Sequence, residues 1–244
     1  MARKATRSKA RRPTARVKPA NVKPAITGSP RERIITAFMA LLGEQPIERI
    51  GMAEIAARAA VSLADLRGEF GTPLAILAAH VKELDRQVLT EIDPDMAEES
   101  PRERLFDVLM RRIELLGSHK EAVRSLLRSV RYDPPLALAL NVMAVRSQQW
   151  MLTAAGIDAS GPKGMVRAQG LALLFANVLR TWVDDDDDGL ARTLAALDRE
   201  LARGQRFAGL LDDLCRIPEA ACQLRKRMCG TTRRRRDRED RVAM

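Results

Sequence analysis

MAEIAARAAVSLADLRGEFGTPLAIL, residues 52–77, decides how this chain folds. Met52, Ile55, Ala56 and Ala59 recur at i, i+3, i+4 and i+7, which lays one apolar stripe along a short first helix. Ala60-Val61 makes a turn, and Ser62 opens a second helix as its N-cap, with Asp65 three residues on in the place of a capping-box acid. Leu66 and Phe70 lie one turn apart and dock the second helix on the first. Gly71-Thr72-Pro73 is expected to end it, with Gly as C-cap, Thr capping the next helix and Pro in that helix's first turn. A short helix held rigidly across another is the device that sets one helix face into a DNA major groove.

The rest of the chain is helical by the same reasoning. Pro30–Gly43 carries Ile34, Ile35, Phe38, Leu41 and Leu42 as a first amphipathic helix, and Pro73 to about Thr90 is a longer connecting one. Asp93-Pro94 marks a break, and Ser100-Pro101 opens a helix to about Leu116. Further helices are expected over His119 to Arg131, from Asp133-Pro134-Pro135 to about Ala155, and over 163–183, the most apolar of all. Two last helices, Asp188 to about Arg203 and Gln205 to about Ile217, complete the set. With no period-2 strand, the class is all-α.

The segment from Arg31 to about Leu77 resembles, without gaps, the N-terminal headpiece of the TetR (tetracycline-repressor) family of bacterial regulators. RERIITAFMALLGEQPIERI, the MAEIAARAAVS block, Leu66, Phe70 and Leu77 carry the resemblance. It implies a three-helix DNA-binding domain over 30–77 on a helical ligand-binding and dimerisation domain over 78–218. Ser62, Leu63, Ala64, Asp65 and Arg67 would face double-stranded DNA, Arg67 making the main charged contact. Where the family usually has Lys, a small residue, Thr and aromatics on this helix, the chain has Leu63, Ala64, Asp65, Arg67 and Glu69. Pro73 replaces the Lys that commonly opens the next helix.

The formal net charge of +10 lives in the tails. Residues 1–29 hold nine Lys or Arg and no acid, residues 219–244 hold nine against four acids, and the remainder is net acidic. Residues 1–29 read as a disordered basic arm and 219–244 as a basic tail. In the arm, Arg11, Arg12, Arg16 and Lys18 would add phosphate affinity; a plain solubilising tail is the other reading.

Little in the chain suits catalysis. There are only two His, His80 and His119, without neighbouring partners, and no G-x-S-x-G or H-E-x-x-H motif, so no enzymatic activity, cofactor or metal is expected. Cys215, Cys222 and Cys229 are spaced by seven, unlike metal pairs. The odd number of thiols, in a chain without an apolar leader or membrane span, points to the cytoplasm. Asp184–Asp188 with Gly189 mimics half a calcium loop, but the twelfth position is Ala195, so an acidic cap for the next helix is the better reading. Met143, Trp150, Met165, Phe175 and Trp182 are the soft large residues expected to line a pocket for a small apolar ligand or to form core. Helices 163–183 and 188–203 are the expected homodimer surface.

A second resemblance covers about Arg102 to Arg206. RERLFDVLMRRIELLGSHKEAVRSLL, Pro134-Pro135 before LALAL, Trp150 with AAGI, and TWVDDDDDGLARTLAALDRELARG are similar to the ubiquinone-biosynthesis accessory proteins of TetR fold. That likeness implies a lipid-binding protein without DNA recognition, with membrane association only in this alternative. Phe207, Leu210, Leu211, Leu214 and Ile217 would form its interfacial stripe.

Overall fold

A computed structural model describes residues 28–206. The basic arm, the last expected helix, the three Cys and the basic tail lie outside the described residues.

Nine helices of four residues or more in α form follow one another, with no strand among the described residues. They are α1 (Pro30–Glu44), α2 (Met52–Ala59), α3 (Leu63–Glu69), α4 (Pro73–Thr90), α5 (Pro101–Leu116), α6 (Lys120–Ser129), α7 (Pro134–Ala154), α8 (Gly161–Trp182) and α9 (191–206). Proline and capping residues set most of the starts. Ser29, Ser62 and Ser100 each close a full capping box, with Glu32, Asp65 and Glu103 as the reciprocal acids. Thr72 and Asp133 accept from the backbones of Ala75 and Leu136, with proline opening both helices.

The turn at Ala60-Val61 falls where expected, and the end of α3 does not. Gly71 is not the C-cap of α3; the helix closes at Phe70, whose backbone is extended and whose N–H returns to Leu66. Burying the Phe70 ring against the core pulls the chain out of the helix one residue before the glycine. At the other end of the motif, α2 closes on Ala60 in the left-handed region, φ 51°. Val61 N–H bonds Ala56 and Ala60 N–H bonds Ala57, the paired bonds of a Schellman motif, in which glycine usually holds the position that alanine takes in this chain. The expected break at Gln205 is also absent, since α9 runs through to residue 206.

The acidic run is structural. Asp187 caps α9 through Ala191 N–H, and the buried Asp185 accepts from both the N–H and the hydroxyl of Thr193. Those two donors hold the Asp185 carboxyl below the usual carboxylate range. Lys120 and Arg124 of α6 reach the same turn through Asp186 and the backbones of Asp185 and Val183.

Two apolar cores form. One joins α1, α2, α3 and the first half of α4, with Ile34, Phe38, Leu42, Ile55, Leu66 and Ile76 essentially sealed from solvent. The other joins the second half of α4 with α5, α7, α8 and α9 around Leu109, Ile113, Met151, Val178 and Leu197. The division expected after residue 77 therefore falls inside one continuous helix. The first core also takes in Ala122 of α6 and Leu136 of α7, so the headpiece rests on the body as well as on its own three helices.

Candidate nucleic-acid interface

α3 has one inner and one outer face. Leu66 and Phe70, at 1% and 4% exposure, are the inner anchors that fix its angle against α1 and α2. Burying such side chains contributes about 2–3 kcal/mol each. Ser62, Leu63, Ala64, Asp65 and Arg67 all lie on the outer, solvent-facing side. The five residues expected at DNA are thus brought to one surface, and Leu63 stands 58% exposed, an uncovered apolar side chain at the start of the helix.

The acids that make this face unusual already have partners inside the protein. Asp65 accepts from the Ser62 hydroxyl at 2.7 Å and from its N–H at 3.2 Å, and these bonds hold its carboxyl below the ordinary value. Glu69 pairs with Arg31 of α1 at 3.3 Å, and the Arg31 guanidinium also sits over the Phe70 ring, 4.7 Å from its centre. Between α2 and α1, Arg58 pairs with Glu44 at 2.5 Å, which holds its guanidinium in the charged form. Arg33 donates to the Ala60 carbonyl at 3.4 Å, supporting the strained turn between α2 and α3. Arg67 is left with no ion pair or hydrogen bond to another described residue. The outer face therefore presents one uncommitted cation and one bare leucine, while its carboxylates, exposed as well, are engaged by Ser62 and Arg31.

The soft large residues are dispersed. Phe175 and Trp182 are buried in the second core, Met143 packs against the headpiece core, and Trp150 and Met165 are exposed on the outside of α7 and α8. They do not line one pocket, because α7 and α8 carry apolar residues on more than one face. Two surface clefts, of about 280 and about 310 Å³, are lined by α1–α2 residues and by Met96, Phe106 and their neighbours, and neither contains any of the five. Among the described residues, no group of three His, Cys, Asp or Glu could hold a metal ion, and no helix is long and apolar enough to cross a membrane.

Sequence reasoning overlooked a buried polar knot under α4. Asp85 of α4 pairs with Arg112 of α5 and accepts from Ser147 of α7 at 2.7 Å, all with little exposure. A signal was present: Arg112 falls within the apolar stripe Leu105, Val108, Leu109, Ile113 and Leu116, where a charge is out of place.

A three-helix headpiece whose third helix presents its outer face, mounted by a shared helix on a larger all-α body, defines a helix-turn-helix protein of two-core build. Its fold is that of the TetR-family transcriptional regulators. A regulator from Nitrosomonas europaea is similar at TM-score 0.57 and 20% identity, over 72% of this chain and 97% of the other. One from Rhodococcus sp. RHA1 gives 0.52 and 22%, over 72% and 95%. One from Syntrophomonas wolfei, described as putative, gives 0.53 and 15%, over 73% and 94%. At such identities the likeness is one of fold. No family model matches the sequence, and no curated protein matches it. The likeness to ubiquinone-biosynthesis proteins therefore gains no support, and the helix expected to carry membrane association lies outside the described residues.

Proposed function

We propose that this protein is a homodimeric transcriptional regulator that binds palindromic double-stranded DNA through α3 and releases it on binding a small ligand. The observation that carries the reading is the division of labour on α3. Its acids are used up in capping and in pairing with α1, leaving Leu63, Ala64 and Arg67 with no structural task. An exposed leucine suits a thymine methyl group, and an uncommitted arginine suits guanine or a phosphate. Arg11, Arg12, Arg16 and Lys18 of the basic arm supply the phosphate affinity that a near-neutral headpiece lacks.

The dimer forms on α7 and α8. Leu138, Val142, Trp150, Met165, Val166 and Leu173 make this helix pair the richest exposed apolar surface of the described residues, whereas α9 exposes mainly Ala, Arg and Asp. Trp150 and Met165 belong to that surface rather than to a pocket, and Phe175 and Trp182 remain the candidates for ligand contact.

Selection of full-length protein against a random DNA pool tests the function. The expected result is a two-fold symmetric site, with Arg67→Ala relaxing preference at one base position in each half-site by about 1–3 kcal/mol. Binding without sequence preference, with a steep salt dependence that disappears when residues 1–29 are removed, would refute it.

A further inference from the structure

The knot beneath α4 is built like a carboxylate receptor that is occupied by the protein itself. Arg112 is 5% exposed, and its guanidinium lies 5.7 Å from the centre of the ring of Phe175, a member of the second apolar core. A guanidinium in such a setting needs its donors used, and its planar fork is shaped for two parallel bonds to one carboxylate. Only half of that capacity is engaged by Asp85, through Nη1 to Oδ1, and that same oxygen is shared with the Ser147 hydroxyl. The Arg112 Nε is buried with no partner. An orphaned donor at this depth is expensive and points to a missing acceptor.

We propose that Arg112 is the anchor for a ligand carrying one carboxylate on an apolar body, and that this ligand exchanges with Asp85. The apolar neighbours of Arg112 favour an uncharged body, while the single-bonded fork favours a carboxylate that can span Nε and a terminal nitrogen. Asp85 sits on α4, whose first half belongs to the headpiece core. An incoming carboxylate therefore competes with α4 for Arg112 and loosens the hold of the body on the helix that carries the headpiece. Under the regulator reading, on which this consequence for DNA rests, ligand and operator oppose one another.

The test uses full-length protein with octanoate and phenylacetate as probes, and octan-1-ol and 2-phenylethanol as matched alcohols. Thermal shift and calorimetry should show binding of the carboxylates and at least tenfold weaker binding of the alcohols. Asp85→Asn removes the internal competitor and should tighten octanoate roughly tenfold; Ser147→Ala, a milder change, should tighten it by about two- to threefold. Arg112→Met should abolish the preference for carboxylate. A role confined to stability predicts the reverse pattern: every variant melts lower and none gains affinity. Equal binding of acids and alcohols, no binding of either, or unchanged octanoate affinity in Ser147→Ala and Asp85→Asn would each overturn the proposal. Carboxylate binding by a protein that selects no DNA site would instead refute the regulator reading and leave this one standing.

Discussion

Part of the destabilisation of this protein by acid should come from one histidine. His80 of α4 and His119, just before α6, meet edge to face with ring centres 4.7 Å apart. Burial, then the neighbouring His119 and Arg112, push the His80 imidazole down to about 4, with Glu83 opposing, and burial also lowers His119. Its Nε2 is buried without a partner, so a proton gained there finds no acceptor. In the unfolded chain the same imidazole titrates near 6.5. The folded form thus binds its proton later than the unfolded form, and stability is complete above about pH 6.5 and lost as pH falls toward 4. The loss attributable to His80 is about 2 kcal/mol at pH 5 and about 3 kcal/mol at pH 4. Urea unfolding of wild type and His80→Leu at pH 7 and pH 5 measures it. The variant should lose about 2 kcal/mol less than wild type over that interval, while at pH 7 the two should lie close together. With only two histidines in the chain, proton NMR can follow each ring directly. Parallel pH dependence of the two proteins, or a His80 resonance titrating near 6.5, would refute the reasoning.

Three other perturbations have defined outcomes. Ala60→Gly relieves the left-handed backbone between α2 and α3 and should raise stability by roughly 1 kcal/mol in chemical denaturation. Leu66→Ala, at a side chain 1% exposed, should cost about 2–5 kcal/mol and abolish sequence-selective DNA binding while the α-helical circular dichroism of the body largely persists. Glu69→Arg replaces the partner of Arg31 with a second cation on the outer face of α3; filter binding should show tighter association with random DNA and a steeper salt slope.

Much of this architecture was legible in local chemistry. Ser62, Thr72 and Ser100 cap where the sequence places caps, because a hydroxyl needs only the next turn of backbone to act, and Ser29 and Asp133 act in the same way at two further starts. The all-α class follows from apolar spacing in the same way. What could not be read depends on tertiary partners. Phe70 overrides Gly71 as helix terminator because its ring is drawn into a core made by distant residues. Asp85 and Arg112, 27 positions apart, meet only when α4 crosses α5. Trp150 and Phe175 have the same apolar character, and only the packing of α7 and α8 sends one outward and the other inward.

The seating of the headpiece on α6 and α7 also bears on engineering. Besides Ala122 and Leu136, the buried hydroxyls of Ser125 and Ser129 bond to the Gln45 carbonyl and the Glu48 carboxylate at 3.2 and 3.1 Å. Cutting the chain after residue 77 would strip these contacts and lay bare an oily underside on the excised fragment. Transplanting a foreign headpiece onto this body would require grafting the matching surface of α6 together with it, so the two parts must be exchanged as a fitted pair.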